Sequence, residues 1–127
     1  MAHFKVFNLP TFASCQGSLT VIEKALPFNV VRLYWIYEVN GKTRGGHRHQ
    51  KTTQALVAVN GRVDVFMSDG VKEDTIILTR PNQCLLVEPK DWHTMTIYKS
   101  SVLLVMASHH FDENDYLDSP IELQKHD

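Results

Sequence analysis

Ala55-Leu56-Val57-Ala58-Val59-Asn60-Gly61-Arg62-Val63-Asp64-Val65-Phe66-Met67 reads as two β-strands separated by a tight turn. Asn-Gly favours a sharp reversal, and both flanks are rich in residues that suit a pleated, half-buried strand. Val63, Val65 and Met67 fall on one face of the second strand, with Asp64 and Phe66 on the other. Outward from this stretch the pattern repeats. Asn40-Gly41 is a second tight-turn dipeptide, and Ser68-Asp69-Gly70, Arg80-Pro81-Asn82 and Pro89-Lys90-Asp91 break the later sequence. Further strands are expected at 18–22, 30–39, 75–79, 84–87, 93–98 and 102–107. Two short helices are predicted, one near Ile22 to Leu26 and one after Phe111 in the acidic tail. Crossover helices of about a dozen residues, which a parallel α/β sheet needs, do not fit between the strands. The expected fold is therefore all-β, an antiparallel sandwich or small barrel with a short C-terminal helical tail.

The chain has 127 residues, which predicts one domain over 1–127. Hydrophobic residues at 43% and charged ones at 21% suffice for one core, so extensive disorder is disfavoured. Thirteen basic against fourteen acidic side chains leave no basic excess for nucleic acid. No apolar run has the length of a membrane span, and Met1-Ala2-His3-Phe4-Lys5-Val6 lacks the apolar stretch of a signal peptide. Cys15 and Cys84 do not form a disulfide framework and read as ordinary turn or core residues. A reduced, cytoplasmic protein is expected.

Chemistry concentrates after Gly41, in Thr43-Arg44-Gly45-Gly46-His47-Arg48-His49 and on to Gln54. His47 and His49 are two residues apart, so on a strand both rings project from one face. Imidazole exchanges protons near neutrality, its unperturbed pKa being ~6.5. His93 opens a later strand, where it serves either the same site or only a turn. Arg32 lies within the apolar-aromatic run Val30 to Tyr37 and needs an anionic partner there, either Glu38, Asp64 or a ligand phosphate. His3, His109, His110 and His126 read as surface residues, and Asp112 to Asp115 as a solvated helix start.

The spacing Gly41-x5-His47-x-His49-x4-Gln54-x6-Gly61 resembles the first motif of the cupin superfamily. Metal-binding cupins carry a carboxylate where this chain has Gln54, and a third His on a later strand, here His93. A neutral amide is a far weaker cation ligand than a carboxylate, so the pocket is expected to be metal-free, although three histidines could hold Zn or Fe(II). Alternation also places Gln54 opposite His49 unless a turn or bulge intervenes.

Over nearly its whole length the chain further resembles the small dTDP-4-keto-6-deoxyglucose 3,4-ketoisomerases of bacterial deoxysugar biosynthesis. The similarity runs through Gly17-Ser18-Leu19, Val31 to Ile36, Arg44 to His49, Gln54 to Val57, Val59 to Gly61, Trp92-His93 with Met95, Ala107-Ser108, Asp112-Glu113 and Asp115-Tyr116. This resemblance implies a cupin-like jelly roll, a homodimer with exchanged N-terminal strands, and metal-independent, cofactor-free isomerisation of a dTDP-linked 4-keto-6-deoxy sugar for amino-deoxysugar biosynthesis. It implies proton transfer by His47 and His49; of these His49 is expected to be the base, with His47 and His93 placed to relay protons or stabilise the oxyanion. Arg32 and Arg44 would hold the pyrophosphate, with Tyr34, Gln16 and Gln54 as further substrate-binding residues. Two positions depart from the pattern. Gln16 replaces an Arg common in relatives, and His93 replaces an Arg found in some of them; the latter inclines the product toward the galacto configuration. Two alternatives are a dTDP-sugar 3,5-epimerase, whose usual His–Asp pair is not evident beside His47, and a non-catalytic sugar-nucleotide-binding cupin.

Overall fold

The computed structural model describes residues 4–118, and within them twelve short strands form two five-stranded antiparallel sheets and a separate hairpin. In spatial order the first sheet holds β1 (Val6–Asn8), β9 (Gln83–Val87), β6 (Gln54–Asn60), β11 (Val102–Ala107) and β4 (Arg32–Ile36). The second holds β12 (Tyr116–Leu117), β5 (Thr43–His49), β10 (Trp92–Ile97), β7 (Val63–Ser68) and β8 (Glu73–Leu78). The hairpin pairs β2 (Thr11–Ser14) with β3 (Gly17–Thr20). From β4 onward the chain passes repeatedly from one sheet to the other, as in a jelly roll, so the all-β expectation holds.

The two Asn-Gly turns do not make hairpins. Asn60-Gly61 carries the chain from β6 to β7 in the opposite sheet, and Asn40-Gly41 carries it from β4 to β5 in the same way. The composition of β6 accounts for this. Gln54 to Ala58 are all buried, so that strand needs cover on both faces, which a hairpin partner beside it cannot supply. Crossing over sets Val63, Val65 and Met67 into the main core with Leu56 and Ala58. Gly61 sits at this corner with φ +79°, and a Cβ there would lie 2.2 Å from the Ser101 hydroxyl and 2.8 Å from its Cα. Gly61→Ala combines backbone strain with a clash against buried Ser101, and is expected to cost about 2–3 kcal/mol. A lower midpoint in urea with unchanged slope checks this.

Ile22 to Leu26 is not helical. Pro27 leaves too few residues to nucleate a helix, and Lys24 takes a left-handed backbone at φ 55°. The segment instead lies over the outer face of the first sheet. There Ala25, Leu26 and Phe28 pack on Leu9, Ala55, Val57, Cys84, Leu86 and Met106. Beyond Phe111 the chain makes one 3-10 turn, Glu113–Asp115, begun by Asp112 accepting from the Asn114 amide at 3.0 Å, and then enters β12. The remainder of the expected tail, with His126, lies outside the described residues, as does His3. Cys84 is a core residue and Cys15 an exposed turn residue, both free thiols. No described helix is long and apolar enough to cross a membrane.

Candidate active site

At one end of the sandwich the sheets separate around a cavity of about 190 Å³. The first sheet lines it with Arg32, Tyr34 and Ile36 of β4, Gln54 and Leu56 of β6, and Val105 of β11. Facing them are Arg44, Gly45 and His47 of β5, His93 and Met95 of β10, and Tyr116 of β12. Alternation explains the β4 set, because 32, 34 and 36 turn inward while Leu33 and Trp35 are exposed.

Alternation alone does not explain β5, where Arg44 and His47 are three apart yet line one cavity. A β-bulge reconciles them. His93 pairs with His47 but Thr94 pairs with Gly45, so Gly46 is the extra residue. Gly45 and Gly46 have φ +90° and +78°, and a Cβ on Gly45 would press to 3.0 Å from the His93 carbonyl oxygen.

Three imidazoles meet here. The His47 ring centroid lies 5.0 Å from that of His49 and 4.9 Å from that of His93; His49 and His93 are 6.0 Å apart. His47 faces the cavity, whereas His49 stands behind it in a narrow crevice that shares Arg32, Gln54 and Tyr116 with the cavity wall. His49 and His93 are buried, and His49 Nδ1 has no hydrogen-bond partner. Burial, reinforced by His47, pushes the pKa of His49 down to about 4 and that of His93 to about 3. Burial also lowers that of His47. All three rings are therefore neutral at pH 7, a state in which an imidazole can accept a proton. Among the described residues no three His, Cys, Asp or Glu side chains are arranged to hold a metal ion.

The acid-position residue Gln54 is brought round to the cavity by a bend over residues 50–53, as its parity with His49 required. Its Nε2 donates to the Tyr34 hydroxyl at 3.3 Å, leaving the phenolic O–H able to donate into the cavity. Burial and the nearby Tyr116 phenol raise the Tyr34 pKa, keeping it protonated. The Arg32 guanidinium lies 4.4 Å from the Tyr34 ring centroid and 5.3 Å from that of Phe111. Of the carboxylates proposed for it, Asp64 is engaged by Arg62 at 2.8 Å and by Tyr98, while Glu38 lines a separate surface groove. Among the described residues no carboxylate forms an ion pair with Arg32.

Gln16 is not in this group. It lies in the β2–β3 turn, over a groove lined by the hairpin's own residues. Conversely, Asp115, expected in a solvated helix start, is buried, and the following Tyr116 lines the cavity. No local periodicity marks a two-residue strand, so only their place in the family pattern singled them out. His109 and His110 are exposed, as expected, at the mouth of the crevice.

The sequence of the whole site-bearing chain fits one family. A family-wide model, FdtA: WxcM-like, C-terminal, matches residues 2–126. The chain belongs to this family. A relative from Aneurinibacillus thermoaerophilus, TDP-4-oxo-6-deoxy-alpha-D-glucose-3,4-oxoisomerase, is 39% identical over 117 residues, covering 89% of this chain and 84% of its own length. Solved members of similar shape include a 3,4-ketoisomerase from Helicobacter canadensis, with TM-score 0.88 and 32% identity over 94% of this chain and 92% of that one. Another is a His-to-Asn mutant of the 3,4-ketoisomerase QdtA from Thermoanaerobacterium thermosaccharolyticum in complex with TDP-4-keto-6-deoxyglucose. It has TM-score 0.88 and 33% identity, covering 94% and 90% of the two chains.

Proposed function

We propose that this protein is a dTDP-4-keto-6-deoxyglucose 3,4-ketoisomerase. The observation that carries the reading is a cavity lined by two arginines, His47 and His93, with His49 against His47 in the adjoining crevice, in a chain of this family. The reaction moves a carbonyl by proton transfer. The C4 ketone acidifies the C3–H bond; a neutral imidazole, His49 by preference, takes that proton, and the electron pair becomes an enediolate over C3 and C4. A proton delivered to C4, with transfer of the O3 proton to O4, completes the 3-keto sugar without external oxidant or reductant. His47 and His93 relay protons, and the Tyr34 O–H stabilises the developing oxyanion. Arg32 and Arg44 bind the pyrophosphate.

The reading includes a second copy of the chain. The β2–β3 hairpin pairs only with itself among the described residues, Phe12 and Leu19 on it are exposed, and β4 is an edge strand with Leu33 and Trp35 outward. These features support a homodimer that exchanges N-terminal strands and so carries Gln16 toward the partner's cavity. A cytoplasmic location accords with a nucleotide-sugar substrate.

The test is to incubate chelator-treated protein with dTDP-4-keto-6-deoxyglucose in D₂O and follow the sugar protons by NMR. Loss of the C3 proton signal with appearance of a 3-keto product is expected, and the configuration at C4 distinguishes the gluco from the galacto product. Exchange at C5 as well would favour the 3,5-epimerase, and saturable binding without exchange at any carbon would leave a binding protein.

A further inference from the structure

The Asp115–Tyr116 pair is absent from the reaction scheme above, yet it is built tightly against the histidines. Asp115 Oδ1 accepts the backbone amides of Gln50 at 3.0 Å and Lys51 at 2.8 Å, and its Oδ2 accepts the Thr52 hydroxyl. One carboxylate thus ties down the three residues that follow His49 and lead to Gln54. Burial works against its charge, but these donors, Thr52 first, hold its pKa below the ordinary carboxylate value. So anchored, the tail adds β12 to the edge of β5, with Tyr116 opposite His49. The Tyr116 ring then meets both imidazoles, at 4.6 Å from His49 and 4.8 Å from His47, inclined by 64° and 60°.

We propose that Tyr116, anchored by Asp115, is a positioning residue that packs over His49 and shields that ring from water for proton transfer. The proposal rests on the proton-transfer reading of these histidines. Its physical basis is that the ring packs edge-on against both imidazoles and lines the wall shared by the cavity and the crevice, so its bulk rather than its hydroxyl is what the proposal assigns the shielding to. The titratable and charged groups facing His49 are His47 on its own strand, His93 on β10, Arg32 on β4, and Asp115 and Tyr116 of the tail. His109, His110 and Asp112 stand at the mouth of the crevice. His47, when it is protonated, and Arg32 oppose a charged His49 and Asp115 favours one, but burial outweighs each of these. Removing the ring therefore weakens the largest influence, and the His49 pKa must rise toward the ordinary ~6.5.

The test uses the full chain with its histidines labelled at ¹³Cε1 and titrated by NMR, alongside pH profiles of kcat/KM. In the native protein and in Tyr116→Phe, which keeps the ring, His49 is expected to titrate together near 4. In Tyr116→Ala its midpoint is expected to rise by about one pH unit or more, and kcat/KM to gain an acid limb at the same midpoint. Activity should then fall more at pH 6 than at pH 8. Tyr116→Leu, which fills part of the space, should shift less, and it serves if the alanine variant does not fold. An unmoved midpoint in the alanine or leucine variant, with activity lost evenly at every pH, would show a purely structural tail and overturn the proposal. A shift in Tyr116→Phe as large as that in Tyr116→Ala would overturn it too, by placing the effect in the hydroxyl. The titration needs no substrate, so it decides the shielding role even if the native protein fails to isomerise the sugar.

Discussion

His49→Asn lowers kcat by about 10²–10⁴-fold while KM for the dTDP-sugar changes little, the expected outcome when a general base is removed and the phosphate contacts remain. The asparagine side chain fits the space but cannot take up the C3 proton. Single-turnover measurement with substrate deuterated at C3 checks the assignment, since the step lost is cleavage of that bond. Near-normal kcat would remove His49 from the role of base. A much larger fall in His47→Asn than in His49→Asn would transfer that role to His47, which has the direct view of the cavity. The native pH profile carries the same signature. A base works when deprotonated, and with its pKa at about 4 His49 remains so well below neutrality; activity should stay flat on the acid side to about pH 5 rather than fall from about 6.5. The corresponding effect on folding has a definite sign. A histidine whose folded pKa is depressed contributes full stability above its unfolded pKa, and loses it as pH falls from about 6.5 toward 4.

Arg32→Ala raises KM by about 10–100-fold with kcat changed only several-fold, because a guanidinium–phosphate contact holds ground state and transition state alike. The effect should be large because the guanidinium is stacked near Tyr34 and Phe111 before any ligand arrives, so little rotamer freedom remains to be lost on binding. Arg32→Lys should restore little, since an ammonium neither stacks as a plane nor offers a fork to phosphate oxygens. Steady-state kinetics, with calorimetry of dTDP binding, separates the two parameters. An unchanged KM would make Arg32 a packing residue of the β4 face.

Much of the site was legible in the sequence because its signals are local. Two histidines at strand spacing and an arginine within an aromatic strand could each be read within a few residues, whereas Gln54, Arg44, Tyr34 and Gln16 stood out only through family resemblance; of all these, Gln16 alone does not reach the cavity or its adjoining crevice. Gln16 did not, because the place of a hairpin that pairs only with itself depends on what it docks against, which no spacing within one chain encodes. Asn60-Gly61 is a tight turn, as its sequence indicates, but not one that joins neighbouring strands of one sheet. Turn chemistry fixes that the chain reverses; which sheet it enters is decided by the two-sided burial of β6. The apolar run near Leu26 failed similarly, its hydrophobic residues being demanded by the outer face of a sheet rather than by helical periodicity.

The pair of glycines before His47 has a consequence for how this wall of the cavity is specified. A strand reads out in two phases, inside and outside, and one surplus residue shifts the phase of everything before it. Residue 44, which plain alternation would send outward, thereby shares the wall with residue 47, so a guanidinium and two imidazoles are written on a single seven-residue strand. The information that brings them into register resides in two positions with no side chain at all. A comparison of relatives that scored only their charged and aromatic residues would miss the residues that set the reading frame.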